Sequence, residues 1–177
     1  CGLGRGRQTD ALVRRLMDLP QPLVLDADGI NALAGHMDEW ERRRGRVTVL
    51  TPHEGEFLRV GGDLSQGRTA AAEDFARRSG AVVVLKGPGT VVAGPDGRCR
   101  VNTTGNCGMA KGGSGDVLSG VVLALLGLGM DAFDACCCAV WLHGRAGDLA
   151  AQEKGQWGMT PTDLLERLPQ ALREVTE

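Results

Sequence analysis

Residues 106–116 read NCGMAKGGSGD and end in the carboxylate of Asp116, directly after the run Gly112-Gly113-Ser114-Gly115. An apolar, helix-like stretch follows. Small residues allow backbone N–H groups to turn towards an anion, and the positive end of the following helix favours the same charge. Two interpretations of Asp116 therefore stay open. It is either a cap that stabilises the helix start, or a base that takes a proton beside a bound phosphate.

The loop is a poor match to the Walker A phosphate-binding motif. Gly105 and Lys111 have the expected order, but Ala110 stands where the second glycine of that motif belongs. Gly112 occupies the position at which a serine or threonine would bind magnesium. These two mismatches argue against a Walker A site in this loop.

Lys86 follows a buried apolar run and opens the segment KGPGT. A lysine at a strand end beside Gly87 and Gly89 suits a phosphate contact. A solvated lysine with two turn glycines would give the same pattern, so the motif alone does not decide between them.

Two further turns carry polar residues. His53 and Glu54 stand between a predicted strand and a helix, where Glu54 and Glu56 also complement the dipole of a helix start. Asp26 and Asp28 flank the end of another strand, where they can hold a water or a metal, or simply form the turn.

Other polar residues are expected to have structural roles. His36 and His143 fall within predicted helices, and the run Arg42-Arg43-Arg44 is interpreted as a solvated helix end. The run Cys136-Cys137-Cys138 cannot share one helix face and lacks zinc-type spacing, so we interpret the cysteines as small reduced core residues.

Alternating strands and helices must position these groups. The predicted strands are Leu23–Asp26, Val47–Leu50 and the run at 81–85, followed by a hairpin closed at Pro95-Asp96-Gly97. Two helices are predicted to begin near Ile30 and near Glu54, and a third is predicted to end at Gly80. Further helices are predicted over Asp116–Leu126 and Ala132–Gln152, and a last helix is capped by Thr160. Continuous Val/Leu runs predict a parallel sheet covered on both faces, in one α/β domain over residues 1–177.

Ligands of such sheets bind at the carboxyl ends of the strands. This rule predicts that one rim gathers Asp26, Asp28, His53, Glu54, Lys86 and the loop 105–116.

Composition limits the classes of partner. The chain of 177 residues has a net charge of −2 and no tyrosine, which argues against nucleic acid and anionic membranes. No apolar run reaches the roughly 20 residues that cross a bilayer, and no signal peptide is visible, so we expect a cytoplasmic protein. The chain opens with CGLGRGRQTD, and we expect the N-terminal part of the domain to lie upstream of it.

Five segments resemble, in order and spacing, those of the ADP/ATP-dependent NAD(P)H-hydrate dehydratases: LDADGINALA, TPHEGEFLRV, VVLKGPGTVVAGPDG, NTTGNCGMAKGGSGDVLSG and GMTPTDLLERLP. The resemblance covers essentially the whole chain. It implies a ribokinase-like fold, with a mostly parallel central sheet and helices on both faces.

The resemblance also implies a reaction. Members of this family use ADP or ATP, with Mg²⁺, to phosphorylate the ring hydroxyl of the S epimer of hydrated NADH or NADPH. Phosphate then leaves, and the double bond is restored. Bacterial members have a histidine at the position of His53 and use ADP, so the resemblance favours ADP.

Site residues follow from the same resemblance. The catalytic group is Asp116 with Gly112, Gly113 and Gly115. The nucleotide-binding residues are Lys86, Gly87, Pro88, Gly89, Thr90, Asn106, Met109, Lys111 and Gly115. The substrate-binding residues are Gly4, Asp28, His53, Glu56, Arg59 and Asp116, and no residue is assigned to a metal.

The chain departs from the family pattern at a few positions. Cys107 replaces a residue that is often proline, and Lys111 replaces one that is often small, which would add charge near the phosphates. Family members often form tetramers and are often fused behind an epimerase domain, so a homo-oligomer and such a fusion are expected partners. Two alternatives stay open: a vitamin-precursor hydroxyl kinase of the same superfamily, of the hydroxymethylpyrimidine or hydroxyethylthiazole type, and a nucleotide-binding module without catalysis.

Overall fold

The apolar runs of the sequence form five short strands that pair in chain order into one sheet. In the computed structural model, which describes residues 1–176, the strands are β1 (Leu23–Leu25), β2 (Thr48–Leu50), β3 (Val82–Leu85), β4 (Val91–Ala93) and β5 (Cys99–Val101). Strands β1, β2 and β3 are parallel. Strands β4 and β5 add an antiparallel hairpin beside β3, and the bond from Gly97 N to the Gly94 carbonyl closes its predicted turn.

Helices connect and cover these strands. They are α1 (Arg7–Leu16), α2 (Asp28–Asn31), α3 (Asp38–Glu41), α4 (Glu54–Arg59), α5 (Arg68–Ser79), α6 (Ser114–Gly127), α7 (Ala132–Gly158) and α8 (Pro161–Thr176), with a 3₁₀ turn at Cys107–Met109. Gly80 ends α5 in the left-handed conformation, as predicted. Helix α7 runs past its predicted end at Gln152, because the chain continues across a non-helical residue, Gly155.

The side chains of the strands alternate between the two faces of the sheet, and each face has its own core. Val83 and Leu85 pack with residues of α1, α2 and α5, whereas Val82 and Val84 pack against α6 and α7. The predicted layer of helices on both faces is therefore confirmed. Within residues 1–176, no helix combines the length and the apolar character needed to cross a membrane.

The prediction of a fully solvated arginine run is wrong for its middle member. Arg43 is buried, and its guanidinium donates to Thr48 Oγ1 at 2.8 Å and to the carbonyls of Leu19, Gln21 and Val47 at 2.6, 2.9 and 2.8 Å. These acceptors replace the lost water and tie the segment before β1 to the start of β2.

Candidate active site

The carboxyl ends of the parallel strands bring together residues that lie far apart in the sequence. Lys86, directly after β3, places its Nζ 2.7 Å from Asp26 Oδ1 after β1 and 3.9 Å from Glu56 Oε2 of α4. A backbone bond of 2.8 Å from Lys86 N to the Pro52 carbonyl joins the ends of β2 and β3. The lysine ammonium therefore lies at the centre of the predicted rim, with buried Asp26 as its main counter-ion.

Asp116 occupies the third position of α6, and its carboxylate is exposed. Its carboxylate lies within 4.8 Å of the Asp26 carboxylate and of the Cys1 thiol. Among residues 1–176, no group donates a hydrogen bond to it. A capping aspartate at this position would accept a bond from the N-cap amide, here that of Gly113, so the capping interpretation retains only the attraction to the helix dipole.

Three backbone amides close to Asp116 have no acceptor within the described chain. They are the amides of Gly112, Gly113 and Gly115. The intervening amide of Ser114 donates to the Lys111 carbonyl at 3.3 Å, and that of Asp116 donates to the Gly113 carbonyl at 3.1 Å. Unused N–H groups at a helix start form an anion-binding surface, because the helix dipole adds to them.

Glycine is favoured by the backbone at Gly113, and its missing side chain leaves room for close contacts at Gly115. Gly113 has φ of +100°, and a Cβ there would lie 3.1 Å from the Pro161 ring. A Cβ at Gly115 would lie 3.3 Å from Lys86 Nζ and 3.4 Å from Asp26 Oδ2. The missing side chain therefore lets the Lys86–Asp26 pair lie directly against the first turn of α6.

Helix α7 holds the beginning of the loop. Asp148 accepts hydrogen bonds of 2.9 Å from both Gly105 N and Asn106 Nδ2, and Thr104 Oγ1 donates to the Trp141 carbonyl at 3.0 Å. Asn106, predicted to contact nucleotide, thus has its amide side chain engaged by α7. Met109 packs against Gly147 of the same helix, so its side chain is part of the core below the loop.

Lys111, which is predicted to add positive charge near the phosphates, has its ammonium group bound to the end of α7. Its Nζ binds the carbonyls of Gln156 at 3.4 Å and Trp157 at 3.0 Å, and also that of Met159. These carbonyls end α7, where the helix dipole is negative and attracts a cation. The lysine therefore fastens the middle of the loop to the end of α7.

The segment Lys86–Thr90 is held by an arginine that the sequence did not single out. Arg68 donates to the Pro88 carbonyl and, at 3.0 Å, to the Leu85 carbonyl, and its Nε lies 3.2 Å from Glu54 Oε1. Arg68 begins α5 without any motif around it, so no sequence signal pointed to this contact.

Five of the residues predicted to bind substrate take part in three contacts. Gly4 N donates to Asp28 Oδ2 at 2.9 Å, which joins the N-terminal turn to the end of β1. His53 and Glu56 form a reciprocal cap at the start of α4, with 2.9 Å from His53 N to Glu56 Oε2. Arg59, at the end of α4, donates to Asn31 Oδ1. Of these residues, Glu56 comes within 3.9 Å of the Lys86 ammonium.

A groove of about 310 Å³ runs beside the hairpin, between β5 and α7. Arg100, Asn102 and Trp141 are among its lining residues. Asn102 N donates to the Thr90 carbonyl at 2.8 Å, so one lining residue of the groove contacts the end of the Lys86–Thr90 segment.

The donor atoms near Asp116 do not fit a magnesium site built by the protein. Mg²⁺ prefers oxygen ligands, whereas one of the three clustered donors is the Cys1 thiol and another, Asp26, is already paired with Lys86. A Mg²⁺ at this place would have to be held mainly by the phosphates of a bound nucleotide and by water.

His143 of α7 approaches the site from below. Its ring is buried, and Nε2 lies 2.8 Å from the Ser114 carbonyl. A carbonyl only accepts hydrogen bonds, so Nε2 is assigned as the protonated nitrogen. Burial lowers the pKa of His143 to about 4, partly offset by the bond to Ser114, so the ring is neutral at pH 7.

This low pKa predicts a loss of stability in acid. Between pH 6.5 and about 4 the unfolded chain binds a proton that the folded protein excludes, so the free energy of unfolding falls as the pH falls. The shift corresponds to about 3 kcal/mol over this range. Urea unfolding of wild type and His143→Gln at pH 7 and pH 4.5 should show the smaller loss in the variant; parallel losses would contradict the assignment.

Sequence reasoning missed three residues that contact the site: Arg68, Asp148 and the ring of His143. It placed Asp26 on the rim with Lys86, but it did not predict that the two side chains pair. The three missed residues lie within helices and carry no local signal.

Comparisons with known proteins agree on one family. A family model described as NAD(P)H-hydrate dehydratase matches residues 1–170. The bifunctional NAD(P)H-hydrate repair enzyme of Thermofilum pendens is 45% identical over 181 residues, which cover 99% of this chain and 34% of that protein. The ADP-dependent (S)-NAD(P)H-hydrate dehydratase of Neisseria meningitidis is 40% identical over 88% of this chain and 55% of its own length.

A solved structure gives the same result. The ADP/ATP-dependent NAD(P)H-hydrate dehydratase of Bacillus subtilis, co-crystallised with ATP and Mg²⁺, superposes with a TM-score of 0.84 at 35% identity. The match covers 98% of this chain and 62% of that one. The chain thus spans about a third of the bifunctional relative and between half and two thirds of the other two.

Proposed function

The chain belongs to the NAD(P)H-hydrate dehydratase family and has the ribokinase-like fold, and we propose that it converts (6S)-hydrated NADH or NADPH back to the reduced nucleotide in a reaction driven by ADP. The observation that carries the proposal is the set of free amides at Gly112, Gly113 and Gly115 beside the unbonded carboxylate of Asp116. Amides that can bind the transferring phosphoryl group therefore lie beside a carboxylate that can act as the base.

The proposed chemistry divides between these groups. Hydroxide is a poor leaving group, so the ring hydroxyl is first phosphorylated and phosphate then departs. Asp116 takes the hydroxyl proton as the oxygen attacks the terminal phosphoryl group of the nucleotide. The amides of Gly112, Gly113 and Gly115 face the charge that spreads over the transferring oxygens, and they are already oriented before the reaction.

Lys86 supplies positive charge to the same place. Its ammonium lies against Gly115, and buried Asp26 fixes its position. The segment Lys86–Thr90 and Gly115 then hold the nucleotide phosphates. The groove along Asn102 and Trp141 receives the adenine ring of the nucleotide. Lys111 contributes through its backbone or through the loop that it fastens, because its ammonium is engaged by α7.

The substrate lies on the α4 side of Lys86 in this proposal. The hydrated nicotinamide nucleotide would contact Gly4, Asp28, His53, Glu56 and Arg59. ADP is preferred over ATP on the basis of His53 and of the ADP-dependent relative from Neisseria meningitidis.

The relative from Thermofilum pendens is bifunctional, and a fused epimerase and a homotetramer are part of the proposal for the whole protein. Residues 1–177 form one domain of the whole protein in this proposal. A cytoplasmic location stays a prediction.

The activity assay separates the candidate functions. The chain is incubated with (6S)-hydrated NADH and ADP, and with hydroxymethylpyrimidine or hydroxyethylthiazole and ATP. Free phosphate together with the recovered absorbance of reduced nicotinamide supports the dehydratase. A stable phosphorylated vitamin precursor supports the kinase, whereas a melting temperature that rises with ADP without any turnover supports a binding module.

Lys86→Ala is expected to weaken ADP binding at least about 10-fold and to change the KM for the hydrate much less, because the ammonium faces the phosphates. The variant also leaves Asp26 buried without its cation, so its melting temperature should fall. Calorimetric titration with ADP measures the first effect and thermal unfolding the second.

The double variant Lys86→Ala/Asp26→Asn is the matched control, because it removes both charges of the pair. It should recover part of the melting temperature while ADP binding stays weak. Equal losses of ADP and hydrate affinity in Lys86→Ala would indicate a structural lysine.

A further inference from the structure

We propose that His143 is a positioning residue that aims one amide of the anion site, the N–H of Gly115, at the phosphoryl group during transfer. The proposal deepens the function proposed above and rests on it. The sequence around His143 does not suggest this role. The ring belongs to a different helix and lies 29 residues along the chain from Ser114, so only the fold brings the two together.

The peptide group between Ser114 and Gly115 transmits the effect. Its carbonyl belongs to Ser114 and its N–H to Gly115, and in a planar trans peptide the two point in opposite directions. His143 Nε2 donates to that carbonyl at 2.8 Å. A bond that fixes the carbonyl therefore fixes the direction of the N–H on the other side, where it has no acceptor within residues 1–176.

The same bond strengthens the amide as a donor. A hydrogen bond accepted by the carbonyl polarises the peptide group, which makes its N–H a better donor to an anion. The ring itself is buried in α7, so its direction is set by the packing of a long helix rather than by a mobile loop. Lys86 lies next to Gly115, because a Cβ added there would be 3.3 Å from its Nζ, so the ammonium and the N–H belong to the same part of the site.

The other contacts between α7 and the loop involve different parts of the loop from the one that His143 contacts. Asp148 holds Gly105 and Asn106 at the beginning of the loop, and Lys111 fastens its middle to the end of α7. Only His143 among these groups contacts the first turn of α6, where the free amide of Gly115 lies. Its loss should therefore leave this one peptide held only by the backbone of α6, while the rest of the loop stays in place.

The test compares three variants of the full chain. His143→Met removes the donor but keeps a side chain of similar bulk. His143→Gln keeps an N–H donor at about the same distance from the backbone. Ser79→Ala is the matched control, because it deletes a buried side-chain bond to a backbone carbonyl, 2.7 Å from Phe75, far from the site. Each is measured for melting temperature, kcat and KM, and for the response of the Gly115 amide resonance to ADP by NMR.

We expect His143→Met to lower kcat about 10-fold with KM changed less than about 2-fold, because an amide aimed at the transition state matters most there. His143→Gln should return kcat to within about 3-fold of wild type. Ser79→Ala should lose melting temperature only. In His143→Met, the ADP-induced shift of the Gly115 resonance should be smaller than in wild type.

A normal kcat in folded His143→Met, or a kcat in His143→Gln as low as in His143→Met, would overturn the proposal. If wild type itself does not turn over hydrated NADH, the proposed function fails. The positioning role is then decided by the NMR response alone, and an unchanged Gly115 response to ADP in His143→Met would reject it.

Discussion

Asp116→Asn is expected to lower kcat by about 10²–10⁴ while ADP binding and the melting temperature stay close to those of wild type. Asparagine matches aspartate in shape but cannot accept the hydroxyl proton. The small effect on stability follows because no group within residues 1–176 donates to the Asp116 side chain and the residue is exposed. Turnover of hydrated NADH, ADP titration and thermal unfolding measure the three quantities.

Asp163 provides a control in the same helical position. It is the third residue of α8, as Asp116 is of α6, and it accepts bonds of 2.7 Å from Thr160 N and Thr160 Oγ1. The Thr160 hydroxyl, Lys154 and the Thr160 amide lower the pKa of Asp163 to about 2. Asp163→Asn should therefore lose melting temperature and keep kcat, the reverse of Asp116→Asn.

The two substitutions together decide between a cap and a base. If Asp116→Asn instead lost stability and kept turnover, Asp116 would be a cap, and the proposed mechanism would lose its proton acceptor. That outcome would leave the amides of Gly112, Gly113 and Gly115 as an anion site without a base.

The free amides at the start of α6 were predictable because local chemistry determines them. Glycine is the residue that adopts the positive φ of Gly113, and a helix start leaves N–H groups unused whatever the rest of the fold does. The sheet was predictable for a similar reason, since runs such as Val82–Leu85 are apolar on both faces. In both cases a short stretch of sequence contains the whole cause.

The partners of Lys86 and Lys111 were not predictable in this way. A lysine beside glycines reads the same whether it is solvated, binds phosphate or pairs with a carboxylate. Lys86 meets Asp26 across 60 residues, and Lys111 meets Trp157 across 46. Such contacts depend on how strands and helices are arranged in space, which the spacing along the chain does not specify.

Arg43 shows the same limit for burial. Three arginines in a row indicate a solvated surface, since burying a charge is costly without compensation. The compensation comes from Thr48 and from carbonyls at Leu19, Gln21 and Val47, which become available only once the segments before β1 and β2 lie side by side.

The close approach of α7 to the start of the loop predicts the second large effect. A Cβ added at Gly144 would lie 2.7 Å from the carbonyl carbon and 2.8 Å from the carbonyl oxygen of Thr104, so the backbone of Thr104 and Gly105 must move away. We expect Gly144→Ala to lower the free energy of unfolding by about 3 kcal/mol. Its kcat should fall as well, because Gly105 opens the loop that Asp148 holds.

Gly120→Ala is the matched control, because Gly120 also lies within a helix but has no atom within 4 Å of an added Cβ. Alanine is the better helix former, so this variant should gain about 0.5–1 kcal/mol and keep its kcat. Removing the Thr104 side chain in a Gly144→Ala/Thr104→Ala variant should recover little, since the backbone contact remains. Unfolding in urea and the dehydratase assay measure all three. A stable and fully active Gly144→Ala would mean that α7 does not hold the loop at this distance in solution. The proposed alignment of the Gly115 amide by α7 would then lose its basis.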